Sequence, residues 1–463
     1  MKHFSLRIRV FLFFCLAAMG SLVITLIALW IGYHQLGQPE AISAFVTTGL
    51  IAGLGIAGLI ASIWLLFDEN VSKPVEAIAA SLRVRAHVDI STPLDVAHAK
   101  YLGDLAPAAS AMGTILDNLA KSRSDKSDHM LAEAIRQRDQ LVKILSDIPV
   151  ATILVSADHQ IVLYDGQAAA LMERVGAARL KTSVFDYLER ASIMKALEQL
   201  EISQTHRQKI TVKSLCGREY TGHIREFGTD VGYTLLLDPI EPSINRPLTY
   251  DFEILSFAAS ANLRDTVLRD LVYVVFDCET TGLDPVKDEV VQVGAVRVVN
   301  GKIVDGEVFE TLVNPGIAIP KRSTDVHGID KAMVAGAPAF DTVCTDFHGF
   351  ASGAVLVAHN AAFDMAFLHK QSPKINLLFD HPVLDTVLMS AAVFGGSAVH
   401  TLDAICDRLG IVIPEDHRHT AMGDAVATAK ALIAMIAILD GRGIQTYGAL
   451  QNEASKHRRI LKS

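Results

Sequence analysis

Two carboxylates stand one residue apart in YVVFDCET, residues 273–280: Asp277 and Glu279. In an extended strand successive side chains alternate faces, so both point the same way and Cys278 points opposite. Carboxylates held together repel unless a cation lies between them, and hard divalent ions such as Mg²⁺ take oxygen ligands of this kind. Taken alone, the pair reads equally as solvated acids at a strand end. Two further segments also bring acids to element ends. LVAHNAAFDMAFL, residues 356–368, reads as a strand, a His-Asn turn and a helix carrying Asp364. HRHTAMGDAVATAKALIAMI, residues 417–436, sets His419 five residues before Asp424, at the start of a long apolar helix. An aspartate there also suits the helix dipole, with no further role.

Four carboxylates and one histidine, in this order and on these elements, resemble the DEDDh 3′–5′ exonuclease superfamily, and within it the DNA polymerase III epsilon-like branch. The resemblance covers roughly residues 270–440. It includes VNPGIAIPKRSTDVHGID around Pro315 and His327, LDTVLMS around Asp385, and HTLDAICDRLGI at 400–411. It implies a C-terminal α/β domain of ribonuclease-H-like fold. It also implies that Asp277, Glu279, Asp364 and Asp424 hold two Mg²⁺ or Mn²⁺ ions, about 3.5–4 Å apart as in other two-metal sites. His419 then takes the proton from the attacking water, a task suited to a group titrating near ~6.5. The product is a nucleoside 5′-monophosphate. Thr280, Thr281 and Leu283 match the segment that cradles the terminal nucleotide, Leu283 touching the base. Asn360, Phe363 and His327 match positions near the substrate; each also has a packing reading. Cys278 departs from the family's usual small or apolar residue, on the face away from the metals.

These elements belong to a chain of 463 residues with a formal charge of −9. The length implies several domains. The charge excludes a global basic field for gripping nucleic acid, so binding has to be local or carried by metal ions. The five cysteines, Cys15, Cys216, Cys278, Cys344 and Cys406, form no CxxC pair. That pattern excludes a disulfide framework and a structural zinc site, and suits a reducing compartment.

Half the residues are hydrophobic, and the excess lies in the first 70. Residues 10–32 and residues 41–67 each contain no charged residue. Each exceeds the ~20 residues that a helix needs to span a bilayer. The first is too long for the apolar region of a cleaved signal peptide, and a second span follows it. Lys2, Arg7 and Arg9 precede the first span, Lys73, Arg83 and Arg85 follow the second, and the turn between carries no basic residue but histidine. Both termini are therefore expected to face the cytoplasm of a bacterial inner membrane. Gly49, Gly53, Ala57 and Ala61 form a small-residue stripe that reads either as a homodimer contact or as packing of the hairpin on itself.

Seven segments follow from this reading. A transmembrane hairpin (1–68) leads into a HAMP-like juxtamembrane region (69–122), which reads equally as a plain helical hairpin, and a linker helix (123–145). Next comes an α+β domain (146–242) whose order of strand, turn, strand and helix resembles the start of a PAS domain. In it His159, Cys216 and His223 read as structural residues before cofactor ligands. A linker (243–268), the exonuclease domain (269–440) and a basic tail (441–463) complete the chain. The tail carries Arg442, Lys456, Arg458, Arg459 and Lys462, and reads as a contact to phosphates or lipid headgroups or as a solvated end. The expected partners are membrane lipid, nucleic acid with a free 3′ end, and a second copy through the transmembrane and HAMP-like helices. A polymerase or clamp partner is not expected. Against DNA as substrate stand two alternatives: RNA or oligonucleotides, and a signalling protein that uses the nuclease fold as a binding module.

Overall fold

The computed structural model describes residues 6–36, 42–75, 78–79, 150–203, 207–226, 231–238, 248–256, 262–414 and 417–462. Most of the HAMP-like region and all of the linker helix expected at 123–145 lie outside them. The chain forms two compact units, 1–121 and 122–463.

In the first unit α1 (Leu6–Leu36) and α2 (Ile42–Phe67) form a hairpin, and both are long and apolar enough to cross a membrane. The small residues let the two helices touch. A Cβ at Gly49 would stand 3.3 Å from Leu29 Cδ1, and one at Gly53 3.2 Å from Leu22 Cδ1. The Phe11 and Trp64 rings meet edge to face at 5.0 Å. Of the two readings of the stripe, packing of the hairpin on itself therefore accounts for Gly49 and Gly53.

The second unit opens with a six-stranded antiparallel sheet. Its elements are β1 (Ala151–Ser156), β2 (Ile161–Tyr164), α3 (Gly166–Met172), α4 (Arg190–Ser203), β3 (Arg207–Lys213), β4 (Glu219–Glu226), β5 (Gly232–Leu237) and β6 (Thr249–Tyr250). The spatial order is β3-β4-β5-β1-β2-β6. Asp165 caps α3 by accepting from Ala168 N, and it also accepts from Thr152 N at 2.9 Å, tying the helix to β1. His159 shares a 3.1 Å hydrogen bond with the Tyr233 hydroxyl, and Cys216 lies exposed 2.8 Å from Ser214 Oγ. His223 pairs with Leu236 in the β4–β5 ladder.

The nuclease domain follows: β7 (Tyr273–Thr280), β8 (Val290–Val299), β9 (Lys302–Leu312), α5 (Lys321–His327), α6 (Lys331–Val334), α7 (Phe340–Ala351), β10 (Val355–Ala358), α8 (Ala361–Ile375), β11 (Val383–Asp385), α9 (Thr386–Phe394), α10 (Leu402–Leu409), α11 (Ala421–Asp440) and α12 (Tyr447–Ser455). Its sheet runs β11-β10-β7-β8-β9. β7, β8 and β9 pair antiparallel, while β10 joins β7, and β11 joins β10, in parallel. This is the α/β architecture expected for 269–440. α11 is apolar enough for a membrane span, yet it is mostly buried, packing on β7 and β8 as a core helix.

Two segment expectations need correction. The linker expected at 243–268 is partly built in: Thr249 and Tyr250 add β6 beside β2, and Leu268 N donates to Gln445 O. The basic tail expected at 441–463 carries α12, which is capped by Thr446 and buries Tyr447 and Leu450; a 3₁₀ turn follows at Arg458–Lys462. Leu and Tyr at helical spacing gave that segment an apolar face to bury, which the count of basic residues concealed.

The sheet domain and the nuclease are not separable beads. Val299 and Val304, at the β8–β9 turn, lie in the upstream hydrophobic core with Ile153, Ile161 and Leu180. Beside them a buried ion pair joins Arg297 Nε to Glu307 Oε2 at 2.7 Å. The upstream domain completes it: Tyr164 Oη and Leu180 N donate to Glu307 Oε1, and Leu180 O accepts from Arg297 Nη2 at 3.0 Å. Asn300 links Lys181 to Asp251 in the same seam.

Candidate active site

β7 carries the site because its burial stops where its charges begin. Tyr273 to Phe276 are fully buried; Asp277 and Glu279 emerge half-buried, while Cys278 between them turns into the core near Cys344. The antiparallel register sets Asp277 opposite Gly294 and Glu279 opposite Gln292. α11 brings the third acid. Thr420 caps it by accepting from Gly423 N, which leaves Asp424 in the first turn. Carboxylate oxygens of Asp277, Glu279 and Asp424 all lie within 4.8 Å of one another.

Asp364 stands just behind this trio. It is 2% exposed, sits in the first turn of α8, and accepts from Cys278 N at 3.1 Å. α8 begins in a left-handed residue, Asn360 at φ 60°, a conformation that asparagine tolerates. Asp385 fixes this turn: its two oxygens accept from Ala361 N at 3.0 Å and Val387 N at 2.8 Å. The sequence singled out the Asp385 segment only as a family feature; its part in holding the α8 start appears in the fold.

Like charges in a half-buried place raise one another's pKa. Asp277 is pushed well up by burial and then by Asp364, Glu279 and Asp424. Glu279 rises to about 8 by burial with Asp424 and Asp364. Asp364 rises to about 7, mainly by burial, against the lowering effect of the Cys278 N–H. Burial also raises Asp424, opposed by the nearby charges of His419 and Arg418. Among the described residues, no lysine or arginine pairs with Asp277 or Glu279. Oxygen-only donors at this spacing, short of positive charge, fit a hard divalent cation.

His419 lies at the open rim, exposed, with φ 54°. Its turn is held by Thr420 Oγ1 donating to His417 O and by Asp424 N donating to Thr420 O. Of the expected substrate residues, Thr280 is buried with its hydroxyl on Gly282 O. Thr281 Oγ1 donates to Asp288 and accepts from Glu289 N, closing the loop after β7. Leu283 projects from that loop 85% exposed, with Val286 beside it at 83%. His327 is buried; Nδ1 accepts from Ile329 N, and Nε2 lies near the Thr280 carbonyl without a hydrogen bond of standard geometry. Phe363 packs half-buried, edge to face on Phe367 at 5.2 Å. Sequence reasoning missed Gln292, Asp288 and Ser323, whose Oγ donates to Thr281 O. A lone glutamine inside the run VVQVGAV was the visible signal for the first.

Comparison with known proteins agrees with this domain. A family described as Exonuclease matches residues 274–432. A DNA polymerase III subunit epsilon-like protein of Rhodobacter capsulatus is 31% identical, over 100% of this chain and 99% of that relative. A PolC-type DNA polymerase III of Caldanaerobacter subterraneus is 41% identical over 180 residues, 39% of this chain but only 13% of that protein. Among solved structures, exonuclease X in complex with 5′ overhanging duplex DNA is 25% identical, covering 39% of this chain and 99% of that one, with a TM-score of 0.32. Because the Rhodobacter match runs the length of both chains and the Exonuclease match spans all three acid-bearing segments, the chain belongs to the DNA polymerase III epsilon-like family of DEDDh 3′–5′ exonucleases.

Proposed function

We propose that this exonuclease is anchored in the membrane and removes nucleotides from the 3′ ends of DNA, releasing nucleoside 5′-monophosphates. The observation that carries the chemistry is the trio of Asp277, Glu279 and Asp424, whose carboxylate oxygens lie within 4.8 Å of one another, with Asp364 behind it. Two divalent cations, Mg²⁺ or Mn²⁺, bound by these four residues would supply Lewis acidity to the attacking water and the leaving oxygen. The protein's own groups do the rest. His419, exposed five residues before Asp424, accepts the water's proton as the general base. The loop closed by Thr281 and Asp288 presents Leu283 and Val286 as an apolar face for the terminal base. His327 holds Nδ1 as an acceptor, so Nε2 carries the proton and is left as a donor beside that loop.

α1 and α2 support the anchor, and Lys2, Arg7, Arg9, Lys73, Arg83 and Arg85 support cytoplasmic termini. The strand order β2-β1-β5-β4-β3, with helices between β2 and β3, supports the PAS-like reading of the upstream domain as a regulator. DNA is favoured over RNA because the relatives are named for DNA polymerases.

The test uses the full chain in detergent, since the upstream domain shares its core with the nuclease. It is incubated with 5′-labelled single-stranded DNA or RNA and Mg²⁺, Mn²⁺ or chelator, beside Asp277→Ala and His419→Ala. The expected result is a metal-dependent ladder shortening from the DNA 3′ end, lost in both variants. Preference for RNA would overturn the substrate. No cleavage by a folded chain that binds metal would replace the enzyme reading with the binding-module one.

A further inference from the structure

We infer that Gln292 is a positioning residue for catalysis: β8 forms a seat that sets the start of α11, and with it Asp424 and His419, against the acids of β7. Three observations build the seat. First, Gln292 is 9% exposed, and its Oε1 accepts from Ala421 N at 3.2 Å. Ala421 is the first residue of α11, two residues after His419 and three before Asp424. A helix's first N–H groups have no partner within the helix, so an acceptor from a neighbouring strand both satisfies one and fixes where the helix begins. Second, Gly294 lies on the same face of β8, and a Cβ there would stand 2.3 Å from Met422 N and 2.4 Å from Ala421 C. The strand leaves a gap into which the helix backbone drops. Third, the ladder puts Gln292 opposite Glu279 and Gly294 opposite Asp277. The seat therefore lies directly across from the acids that Asp424 must meet.

The residue type matters as well as the place. The amide uses both ends: Nε2 donates to Glu310 Oε1 at 3.4 Å while Oε1 takes the helix N–H. A carboxylate at 292 beside an unchanged Glu310 would set two like charges against each other across that 3.4 Å contact, with no donor between them. A thioether would leave Ala421 N–H buried without an acceptor. Misplacing a catalytic group by about 1 Å can cost on the order of 100-fold in rate.

The catalytic half of this inference rests on the roles assigned above to Asp424 and His419, so two readouts are needed. In the full chain, metal-free, Gln292→Met should speed hydrogen exchange at the Ala421 amide, while exchange in β10 and the upstream sheet stays unchanged. With metal, kcat should fall about 10–100-fold, and KM for the oligonucleotide should hold. The double exchange Gln292→Glu with Glu310→Gln reverses the donor and acceptor of the pair, keeps an acceptor for Ala421 N–H and conserves charge; it should restore both slow exchange and kcat. Wild-type kcat in Gln292→Met would overturn the inference, as would a fall that the double exchange fails to reverse. An inactive wild-type chain with normal Ala421 protection, lost in Gln292→Met, would overturn the exonuclease roles while leaving the seat in place.

Discussion

Stripping divalent ions from the protein should make its stability fall as pH rises from 5 to 9, and restoring them should abolish the fall. Glu279 shows why. Its carboxyl is pushed from 4.5 to about 8 by burial and by Asp424 and Asp364. A folded-state pKa above the unfolded value means that the native site holds more protons than the unfolded chain between those two values. The contribution is fully present below about pH 4.5 and is lost as pH rises through about 8. At 1.36 kcal/mol per unit, a shift of about 3.5 units amounts to about 5 kcal/mol. Asp364, raised from 3.8 to about 7, acts with the same sign, but the two share one electrostatic site and do not add fully. For a domain of this size about 5 kcal/mol corresponds to roughly 10–20 °C in Tm. The assay is calorimetry of the detergent-solubilised chain across this pH range, with chelator and with saturating Mg²⁺. Carboxylates elsewhere titrate equally in both series, so the difference between the series reports the site. Glu279→Gln should raise the metal-free Tm at pH 8 and remove most of that difference. Parallel curves with and without Mg²⁺ would refute the reasoning, because the four acids would then be solvated charges that no ion needs to neutralise.

Other perturbations reach the parts of the fold that serve the site. Glu307→Ala leaves Arg297 buried without its partner and should destabilise the protein by about 3–5 kcal/mol in denaturant unfolding. Lys302→Ala removes only the exposed pair with Glu253 and should cost under about 1 kcal/mol by the same measurement. Gly294→Ala drives a methyl against Met422 N and should lower kcat about 100-fold, read in the gel assay. Leu283→Ser removes an exposed apolar side chain from the loop after β7, and should raise KM several-fold while changing kcat little, checked by steady-state kinetics on short oligonucleotides.

How far the sequence reached can be seen in single residues. Asp277 and Glu279 were legible because strand periodicity alone forces both to one face. Asp364 and Asp424 were legible because each stands in the first turn of a helix whose start is written in local residues: Asn360, and the Thr420 cap. The nuclease sheet was expected from the family resemblance that the three acid-bearing segments carry. What was hidden depends on contacts between segments far apart in sequence. Nothing near Gln292 says that it accepts from Ala421, 129 positions later. Nothing near Arg297 and Glu307 says that their pair is buried, because the groups that complete it, Tyr164 and Leu180, lie more than a hundred residues upstream.

That last pair changes how the two domains of the second unit should be understood. A flexible tether would let the upstream sheet report to the nuclease only by steric blocking. Here one strand, β8, carries Arg297 and Val299 in the seam at one end and Gln292 and Gly294 under the catalytic helix at the other. β-strands are stiff over such a span, and packed interiors transmit strain better than they absorb it. A shift in β2 or in the segment around Leu180 must therefore either break a buried, fully bonded carboxylate or move β8 with it. Breaking costs several kcal/mol, so small displacements of the upstream sheet follow the second course. Tyr164→Phe separates the two domains' contributions: it removes one donor to Glu307 while leaving Arg297 and Leu180 in place. Unfolding should shift by only about 1–2 kcal/mol. If β8 carries motion between the domains, hydrogen exchange at the Ala421 amide should rise in the same variant. Unchanged exchange there, with the expected loss of stability, would make the seam a structural joint and nothing more.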